Sequence, residues 1–578
     1  MRQLGERLSR PIAHWGAGGP AGLASLLAIT LLVNFVGLGS HRALTDHEAL
    51  LAGTAKVMLQ SGDWIVPRIG DRTWVEKPPL PQWLAAACAL LLQRWDEWSM
   101  RMPFALAGVA SVLLTAHLAF RLFGPQVGWL SGAIQATCVY QAMYSRLAEG
   151  DVLLQAMVVG AITVFVSGET RWSMLTPGQR SSRRFAFWLL LASTNLVKGV
   201  AFGAVLTLLT CAGWFVLQGD VRGWRRWWSP VGLLIAITLA VMWPTLVLLR
   251  EPSAGALWKE HSLGRVAGTL GYVEPPWYYL TTWPVQLLPW TPFLLIAAPT
   301  IGRAIVKDRR SPEAFCAWWM VSQMALLSCS SGKHHHYLIH ALPALSPLIA
   351  HGVMQCRSWL RDVRRSWDGA IIVLGLAAAG GAVSAGFAVC REQLSWLDGL
   401  VATLLVSGSC AWLAWELRQR RPSRAWSALL LLVCCGHMLT QVVIMPRRDP
   451  SAADKRFLAL VSQITPRDAP LVASGSQDIA RHLFYVNRPI EGIWEVQDVA
   501  RRFRTVDAVY LITRAQRIQE LARLGEVVQV AQSEHTRRER SPADRYTLFL
   551  LHPSPRDSRR AMSLTSVDIP APFAGQQR

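Results

Sequence analysis

The stretch TDHEALLAGTAKVMLQSGDWIVPRIGDRTWVEKPPLPQW, residues 45–83, decides how the rest of the chain is interpreted. It follows the first apolar segment, and it carries Asp46 and Glu48 about thirty residues before the Glu-Lys-Pro-Pro sequence at 76–79. Most of the chain around it is apolar and predicted to be helical. Charged groups gathered beside an apolar helical bundle, on one side of a membrane, indicate chemistry on a lipid-linked substrate.

The composition is that of a membrane protein. The 578 residues are 52% hydrophobic and 16% charged, and the mean hydropathy is +0.27. Many windows of about 20 residues are apolar enough to span a bilayer. The sequence therefore predicts a mainly α, polytopic transmembrane helical bundle.

The net charge of +21 has its origin in the loops. Arginine and lysine gather in 168–184, 218–228, 303–313, 356–368 and 418–424, whereas the alternate connections are poor in them. This alternation predicts thirteen spans, a cytoplasmic N-terminus and an external C-terminus. No basic stripe with interleaved aromatic residues occurs in the sequence, which argues against nucleic acid as a partner. The predicted spans are 21–39, 102–120, 126–143, 151–167, 185–199, 200–217, 229–249, 278–302, 314–330, 337–355, 369–389, 399–417 and 425–444.

The chain divides into four predicted regions. Residues 1–20 form a cytoplasmic N-terminus, and 21–445 form the transmembrane domain with a long external first loop at 40–101. Within that loop, 78–92 is expected to be an interfacial helix. Residues 446–553 form a small extracytoplasmic α/β domain, and 554–578 form a disordered tail. In the α/β domain, strands are predicted at 471–474, 509–512, 527–530 and 546–551, and helices at 478–485 and 514–524.

Three acidic residues are candidates for catalysis. Asp46 and Glu48 lie just outside the first span, where a carboxylate can act as a general base on a hydroxyl. Asp151 begins the fourth span and adds a third acid at the same face. The alternative interpretation is structural: ordinary loop acids at an interface, and a helix cap at Asp151.

Cations from distant parts of the chain are candidates for binding a phosphate. Pro78 and Pro79 fix the backbone that follows Lys77, and Arg265 and Lys333 lie in two other external turns. Tyr337 could add a hydroxyl donor. The alternative interpretation is that these cations are scattered over the surface and bind no common ligand, and that Lys77 only extends its ammonium group from the membrane interface into water.

The sequence SGKHHHY at 331–337 raises the question of a metal. Consecutive histidines cannot all face one ion, although His336 and His340 are four residues apart. A divalent ion could bind there, but the sequence requires no cofactor and no metal. Lys198, in NLVKGV, has no predicted role.

Taken together, the motifs resemble a known group of enzymes. The chain is similar to the 4-amino-4-deoxy-L-arabinose transferases of lipid A and, more broadly, to the protein O-mannosyltransferase-like glycosyltransferases of the GT-C class. The first-loop block from Gly62 to Leu80 is the most specific match, and the resemblance runs in order over residues 21–350. The supporting motifs are RMPFAL at 101–106, RLAEGDVLL at 146–154, NLVKGV at 195–200, KEHSLGRV at 259–266, PPWYYL at 275–280, LLPW at 287–290 and SGKHHHYLIHALPAL at 331–345.

The resemblance implies inverting transfer of a sugar from a polyprenyl monophosphate to an acceptor at the periplasmic face of a bacterial-type inner membrane. It assigns Lys77, Arg265 and Tyr337 to the donor phosphate, and Lys333 is expected beside them. Glu76 and His47 fall in the donor pocket. Membrane lipid is the expected surrounding partner, and the acceptor is expected to be a lipid or glycan, or a protein.

The first loop departs from the family pattern. The family has Asp-Glu followed by an Arg-Tyr pair, whereas here His47 precedes Glu48 and two leucines replace the pair. A register shift of one residue would return Asp46 to the position of the base; otherwise Glu48, Asp151 or His47 must serve. The lost pair also leaves the sugar and the acceptor open.

The predicted reaction is direct displacement at the anomeric carbon, with Asp46 as the base, Asp151 assisting and a polyprenyl phosphate leaving. Two other functions compete with this one. A transporter or flippase for a lipid-linked sugar should show binding residues near the midplane and inverted repeats. A non-catalytic membrane scaffold would retain the architecture with a decayed site.

Overall fold

The computed structural model describes residues 19–39, 42–199, 202–259, 273–355, 396–419, 422–449, 451–495, 497–499, 506–534 and 541–553. The chain forms two compact units. The helical unit comprises Met1–Arg42, Trp64–Val66 and Val75–Asp449, and the α/β unit comprises Ala43–Asp63, Pro67–Trp74 and Pro450–Arg578. The predicted spans at 369–389 and the predicted tail at 554–578 lie outside the described residues.

The helical unit confirms the prediction of a mainly helical membrane protein. Among the described residues, six helices are long and apolar enough to cross a membrane, or seven if one bent pair counts as a single span. Its helices are Pro20–Phe35, Leu80–Leu92, Glu97–Phe123, Pro125–Thr137, Val139–Tyr144, Gly150–Glu169, Pro177–Lys198, Gly203–Leu217, Pro230–Arg250, Tyr278–Gln286, Thr291–Lys307, Pro312–Ser328, Leu345–Gln355, Trp396–Arg418, Pro422–Met438 and Met445–Arg448. Shorter 3₁₀ turns include Trp172–Met174, Val221–Arg226, His335–His340 and Leu342–Ala344.

Two apolar stretches differ from a simple span. The stretch predicted at 278–302 is bent by 113° between Tyr278–Gln286 and Thr291–Lys307. The break contains Pro289, which has no amide hydrogen to continue a helix. The helix Leu80–Leu92 has 13 residues, about 20 Å at 1.5 Å per residue, and is too short to cross a hydrocarbon core of about 30 Å.

The membrane helices differ in how much of their apolar surface is buried inside the protein. In Gly150–Glu169 the apolar window is 78% buried inside the protein, whereas in Pro230–Arg250 it is 22% buried. The outer helix exposes Leu234, Ile237 and Val241, as a lipid-facing surface requires. Gly150–Glu169 is therefore the central element that positions the residues discussed below.

The α/β unit contains a five-stranded sheet with strand order β4-β3-β5-β7-β6. Its strands are β3 (Leu471–Ser474), β4 (Glu491–Ile493), β5 (Val509–Arg514), β6 (Gly525–Gln532) and β7 (Tyr546–Pro553). Strands β3, β4 and β5 are parallel, and β7 and β6 are added antiparallel. Alternate residues face two cores: Leu471 and Ala473 pack on one side, and Val472 packs on the other.

Part of the first loop belongs to this unit. The loop contributes the helix Asp46–Ser61 and a small hairpin of β1 (Arg68–Ile69) and β2 (Arg72–Thr73). The Asp71 amide donates to the Gly492 carbonyl at 2.9 Å, and Lys56 Nζ donates to the carbonyls of Phe484 and Val486. The helices Ser451–Ile464 and Ile479–Tyr485 complete the same core, with the short helix Ile518–Leu521 near the end of the unit. The loop segment is therefore a structural part of the sheet domain.

Gly53 allows the first-loop helix to approach the helix Ile479–Tyr485. A Cβ atom added at Gly53 would lie 2.4 Å from the Ala480 carbonyl oxygen, a distance that backbone atoms cannot accommodate without moving. We expect Gly53→Ala to destabilise this contact by about 1–3 kcal/mol. Hydrogen exchange of peptides from 46–61 would measure the free energy of local opening.

Gly178→Ala is the matched control for this change. Among the described residues, no atom outside its own helix turn lies within 4 Å of a Cβ added at Gly178, which lies in the first turn of Pro177–Lys198. That substitution should be neutral or stabilising by up to about 1 kcal/mol. If Gly53→Ala leaves hydrogen exchange in peptides from 46–61 unchanged, the close packing of the first-loop helix against Ile479–Tyr485 is contradicted.

His482 makes the α/β unit sensitive to acid. Burial lowers the pKa of His482 from 6.5 to about 4. As the pH falls below 6.5, the unfolded chain takes up a proton that the folded state resists, so stability falls between pH 6.5 and 4. The expected loss is on the order of 3 kcal/mol, measured by hydrogen exchange in β3 and β5 after correction for intrinsic rates. His482→Phe should remove this pH dependence, and an equally steep loss in that variant would refute the assignment.

Candidate functional site

Asp151 is held by a buried ion pair in the helical unit. It lies in the first turn of Gly150–Glu169, and its Oδ1 accepts a hydrogen bond from Lys198 Nζ at 2.5 Å. The Lys198 side chain is 7% exposed and that of Asp151 is 5% exposed. Asp151 stands at a helix N-terminus and Lys198 ends the helix Pro177–Lys198, so each charge also complements the dipole of its own helix.

The histidine-rich segment lies against this pair. It forms the 3₁₀ turn His335–His340, in which His336 Nε2 is 3.9 Å from Asp151 Oδ1. The Tyr337 ring centre is 5.0 Å from Lys198 Nζ, a cation–π contact. Asp151, Lys198, His336 and Tyr337 thus form one cluster, called here the Asp151 cluster.

Amide side chains fix the backbone of the histidine segment. Gln155 donates to the Ile339 carbonyl at 2.8 Å, and Gln286 donates to the His335 carbonyl at 2.7 Å. The Tyr279 hydroxyl donates to the His334 carbonyl at 3.3 Å. These bonds tie the backbone of the turn to three neighbouring side chains, and they hold the segment in one orientation beside Asp151.

The other predicted phosphate-binding residues have different surroundings. Lys77 is exposed, and Glu76 beside it is half-buried. Lys333 is 3% exposed, and its Nζ donates to the Glu274 carbonyl at 2.8 Å. Arg265 lies outside the described residues. In the described part of the chain, no three His, Cys, Asp or Glu residues are placed to hold a metal ion.

The acids of the first loop, Asp46 and Glu48, lie in the α/β unit, where a capping box at the start of their helix gives the two side chains different surroundings. The Glu48 amide donates to the Thr45 hydroxyl at 3.3 Å, and the Glu48 carboxylate accepts from the Thr45 amide at 2.9 Å. Glu48 is buried, whereas Asp46 and His47 are exposed. The Thr-Asp-His-Glu sequence therefore turns the Glu48 side chain back onto the helix end and leaves Asp46 at the surface.

Arg481 holds Asp46 in position. Its guanidinium donates to Asp46 Oδ1 at 2.6 Å and to Asp454, and it is 5% exposed. Burial alone would lower the pKa of Arg481, but the carboxylates of Asp454 and Asp46 outweigh it and raise that pKa above its usual value. The Leu44 carbonyl and the Ser451 hydroxyl accept further bonds from the same guanidinium at 3.3 and 3.2 Å.

The sequence residues therefore fall into two groups. Asp151 and Tyr337 are brought together in the helical unit, and Asp46, His47 and Glu48 are neighbours in the α/β unit. Sequence reasoning gave no role to Lys198 and did not consider Arg481. A lysine within an apolar stretch is itself a signal that a buried carboxylate is its partner. Arg481 gives no comparable signal, because it lies in an ordinary helix of a water-soluble fold.

Removing one partner of the buried pair should be costly. We expect Lys198→Met to lower the free energy of unfolding by about 3–5 kcal/mol, because Asp151 is left as an uncompensated buried charge. Lys198→Met with Asp151→Asn should recover much of that loss. Thermal unfolding of the full chain in detergent measures both, with Lys307→Met, at the exposed end of another helix, as the control. Equal losses in the single and double variants would rule out a stabilising pair.

Comparisons with known proteins show similarity to glycosyltransferases. A profile of the family described as dolichyl-phosphate-mannose-protein mannosyltransferase matches residues 76–248. The undecaprenyl phosphate-alpha-4-amino-4-deoxy-L-arabinose arabinosyl transferase of Pseudomonas aeruginosa (strain UCBPP-PA14) is 29% identical over 423 residues, which cover 70% of this chain and 73% of that protein. The Shewanella sediminis transferase of the same name is 23% identical over 79% of this chain and 83% of its own length.

Solved structures show the same fold. ArnT from Cupriavidus metallidurans, in a crystal structure bound to undecaprenyl phosphate, superimposes with a TM-score of 0.73 at 19% identity, covering 92% of this chain and 98% of that one. The archaeal oligosaccharyltransferase AglB from Archaeoglobus fulgidus is more distant, with a TM-score of 0.50 at 13% identity over 87% of this chain and 70% of that one. The resemblance indicated by the sequence motifs is thereby confirmed: the chain is similar in sequence to those arabinosyl transferases over most of its length and shares the fold of ArnT.

Proposed function

We propose that this protein is an inverting membrane glycosyltransferase that moves a sugar from a polyprenyl monophosphate to a lipid or glycan acceptor. The observation that carries the proposal is the sequence similarity to arabinosyl transferases named for an undecaprenyl phosphate donor, over 70% of this chain. The predicted class, a membrane glycosyltransferase that uses a polyprenyl-phosphate-linked sugar, is confirmed by these relatives. Modification of lipid A is the corresponding cellular role.

The proposed topology puts the reaction on the periplasmic face of the inner membrane, with thirteen spans and a cytoplasmic N-terminus. The helices Gly150–Glu169 and Pro177–Lys198 are joined by the ion pair at one end, while the basic connection at 168–184 lies at the other end. A basic connection favours the cytoplasm. The Asp151 cluster then lies at the periplasmic end of its helices, as catalysis on a periplasmic substrate requires.

Asp46 is the proposed general base. Its carboxylate is 68% exposed, so an acceptor hydroxyl can reach it, and Arg481 fixes its orientation through Oδ1. Glu48 is buried with its carboxylate in the capping box, and Asp151 is bonded to Lys198. Those two acids are therefore assigned supporting roles, in positioning and in the electrostatics of the site. His47 is exposed and Glu76 is half-buried, and both stay candidates for the donor pocket.

The proposed chemistry is a single displacement. Asp46 takes the proton of the acceptor hydroxyl, the hydroxyl oxygen forms a bond to the anomeric carbon, and the bond from that carbon to the phosphate oxygen breaks. The polyprenyl phosphate leaves with the electron pair. Lys77, Arg265, Lys333 and Tyr337 are the proposed donors that stabilise its charge, which supplies most of the electrostatic contribution to the rate.

Asp46→Asn tests the assignment of the base. The amide keeps the shape of the side chain but cannot accept a proton, so kcat should fall by roughly 10²–10⁴-fold. The assay is transfer from undecaprenyl phosphate–aminoarabinose to lipid A by purified full-length protein. Asp71→Asn, an exposed carboxylate in the same loop, is the control that should keep its activity.

A second arm of this assay concerns the donor phosphate. Lys77→Ala should reduce the polyprenyl phosphate that co-purifies with the protein, as seen by mass spectrometry, while Asp46→Asn should retain it. If Asp46→Asn transfers the sugar at the full rate, Asp46 is not the base. If Lys77→Ala retains as much polyprenyl phosphate as the wild type, Lys77 does not contact the donor phosphate. The wild type could also bind the donor and yet transfer sugar to none of the lipid and glycan acceptors offered. That result would favour a non-catalytic membrane scaffold.

A further inference from the structure

Asp454 is a buried acid of the α/β unit that has no role in the proposed reaction. It lies in the first turn of the helix Ser451–Ile464 and is 9% exposed. Its Oδ2 accepts a hydrogen bond from Nη1 of Arg481, which is 5% exposed. A buried carboxylate is costly unless a cation or hydrogen-bond donors compensate its charge. Asp454 and Arg481 therefore form a buried pair.

The Arg481 guanidinium is shared between two carboxylates. Its Nη1 donates to Asp454, and its Nη2 donates to Asp46 Oδ1 at 2.6 Å. The Asp454 side chain is 13% exposed, whereas that of Asp46 is 68% exposed. Because the guanidinium is planar and its nitrogens point in fixed directions, the bond from Nη1 to the buried acid determines where Nη2 points. The buried acid thus orients the group that holds the exposed acid.

The backbone that precedes Asp46 is bonded to the same helix as its side chain. Arg481 Nη2 donates to the Leu44 carbonyl at 3.3 Å, and the Leu44 amide donates to the Tyr485 hydroxyl at 2.8 Å. Arg481 and Tyr485 are four residues apart in Ile479–Tyr485, so they lie on one face of that helix. The start of the first-loop helix is therefore fixed at two points, its backbone and its first carboxylate.

Stability of the fold does not require this arrangement. A buried ion pair can often be replaced by apolar residues of similar volume without loss of stability. A bond from the same guanidinium to an acid at the surface adds little, because ion pairs with an exposed member contribute little to stability. Fixing the direction of an exposed carboxylate does matter where that carboxylate must meet a substrate in one geometry. The arrangement is thus better explained by the chemistry proposed for Asp46.

We propose that Asp454 is a positioning residue for the base Asp46, and that it acts through Arg481. This inference rests on the proposed function, in which Asp46 takes the proton of the acceptor hydroxyl. Asp454 holds one end of the guanidinium, and the other end holds Asp46 Oδ1 in the direction of the acceptor. A displacement of about 1 Å at a catalytic group can cost roughly 10²-fold in rate. Asp454 therefore affects the rate of transfer and not the affinity for either substrate.

The test is the kinetics of transfer from undecaprenyl phosphate–aminoarabinose to lipid A by the full-length protein in detergent. Asp454→Ala should lower kcat by roughly 10–10²-fold, while KM for each substrate stays within about twofold of the wild type. Asp454→Asn keeps an oxygen that can accept from Nη1 but loses the charge, so its kcat should lie between those of Asp454→Ala and the wild type. Asp468→Asn, at an exposed position of the same unit, is the control that should leave kcat unchanged. If Asp454→Ala has the kcat of the wild type, the proposal is overturned.

A double-mutant cycle distinguishes positioning from a general structural effect. In an Asp46→Asn background there is no base to position, so Asp454→Ala should lower the remaining kcat by less than about twofold. A loss in that background as large as in the wild type would show a structural role and overturn the proposal.

Arg481→Lys tests the same connection without altering Asp454. Lysine keeps the positive charge but lacks the planar fork that bonds to two carboxylates, so kcat should fall as in Asp454→Ala. Hydrogen exchange in β3 and β5 verifies that the variants are folded. If Asp454→Ala is unfolded, Asp454→Asn and Arg481→Lys decide the outcome, and kcat values equal to that of the wild type in both would overturn the proposal.

The same set of variants tests the proposed function separately. If Asp46→Asn transfers at the full rate, the assignment of the base is wrong, and the positioning role is wrong with it. If Asp46→Asn is impaired but Asp454→Ala is not, the positioning role alone is wrong, and the proposed function stands.

Discussion

The ion pair between Asp151 and Lys198 is the constraint on which the helical unit depends. It joins the start of one helix to the end of the next, so the two helices must lie antiparallel and in register. In a low-dielectric interior, neither charge is tolerated without the other. The same contact fixes Lys198 against the Tyr337 ring and brings the histidine segment within reach of Asp151. A single electrostatic requirement thereby orders elements that are distant in the sequence.

The α/β unit is organised around a different charge. Arg481 is buried and connects the first-loop helix to the C-terminal helices by bonding to Asp46, Asp454 and Ser451. The capping box at Thr45 and Glu48 sets where the first-loop helix begins, and therefore which acid faces solvent. The proposed base owes its orientation to a residue more than four hundred positions away, since Arg481 and Asp46 are 435 residues apart.

Much of this could be predicted from the sequence. Long apolar segments with basic connections indicate a membrane helical bundle, and the predicted strands at 471–474 and 546–551 agree with β3 and β7 to within two residues. The short strand β4 was not predicted, because three residues give too little alternation to recognise. The bend near Pro289 was not predicted, because hydropathy does not depend on helix direction.

The candidate site was less accessible to sequence reasoning. Glu48 and Asp46 are equivalent in a sequence, and only the backbone of the helix start distinguishes a capping carboxylate from an exposed one. The pairing of Lys198 with Asp151 depends on which helices are neighbours, which periodicity does not reveal. The membership of 43–63 in the sheet domain likewise follows from tertiary contacts alone.

The two-segment composition of the α/β unit has a consequence for biogenesis. The hydrogen bond between Arg481 and the Leu44 carbonyl spans 437 residues, and most of the predicted membrane spans lie between them. At a synthesis rate of about 5–20 residues per second, the first-loop helix waits roughly 20–90 s before its partner strands exist. During that interval its apolar face, including Leu50 and Val57, has no core to join. The unit that carries the proposed base is therefore assembled last, after the bundle has been inserted, so a prematurely terminated chain cannot present that base on a completed α/β domain.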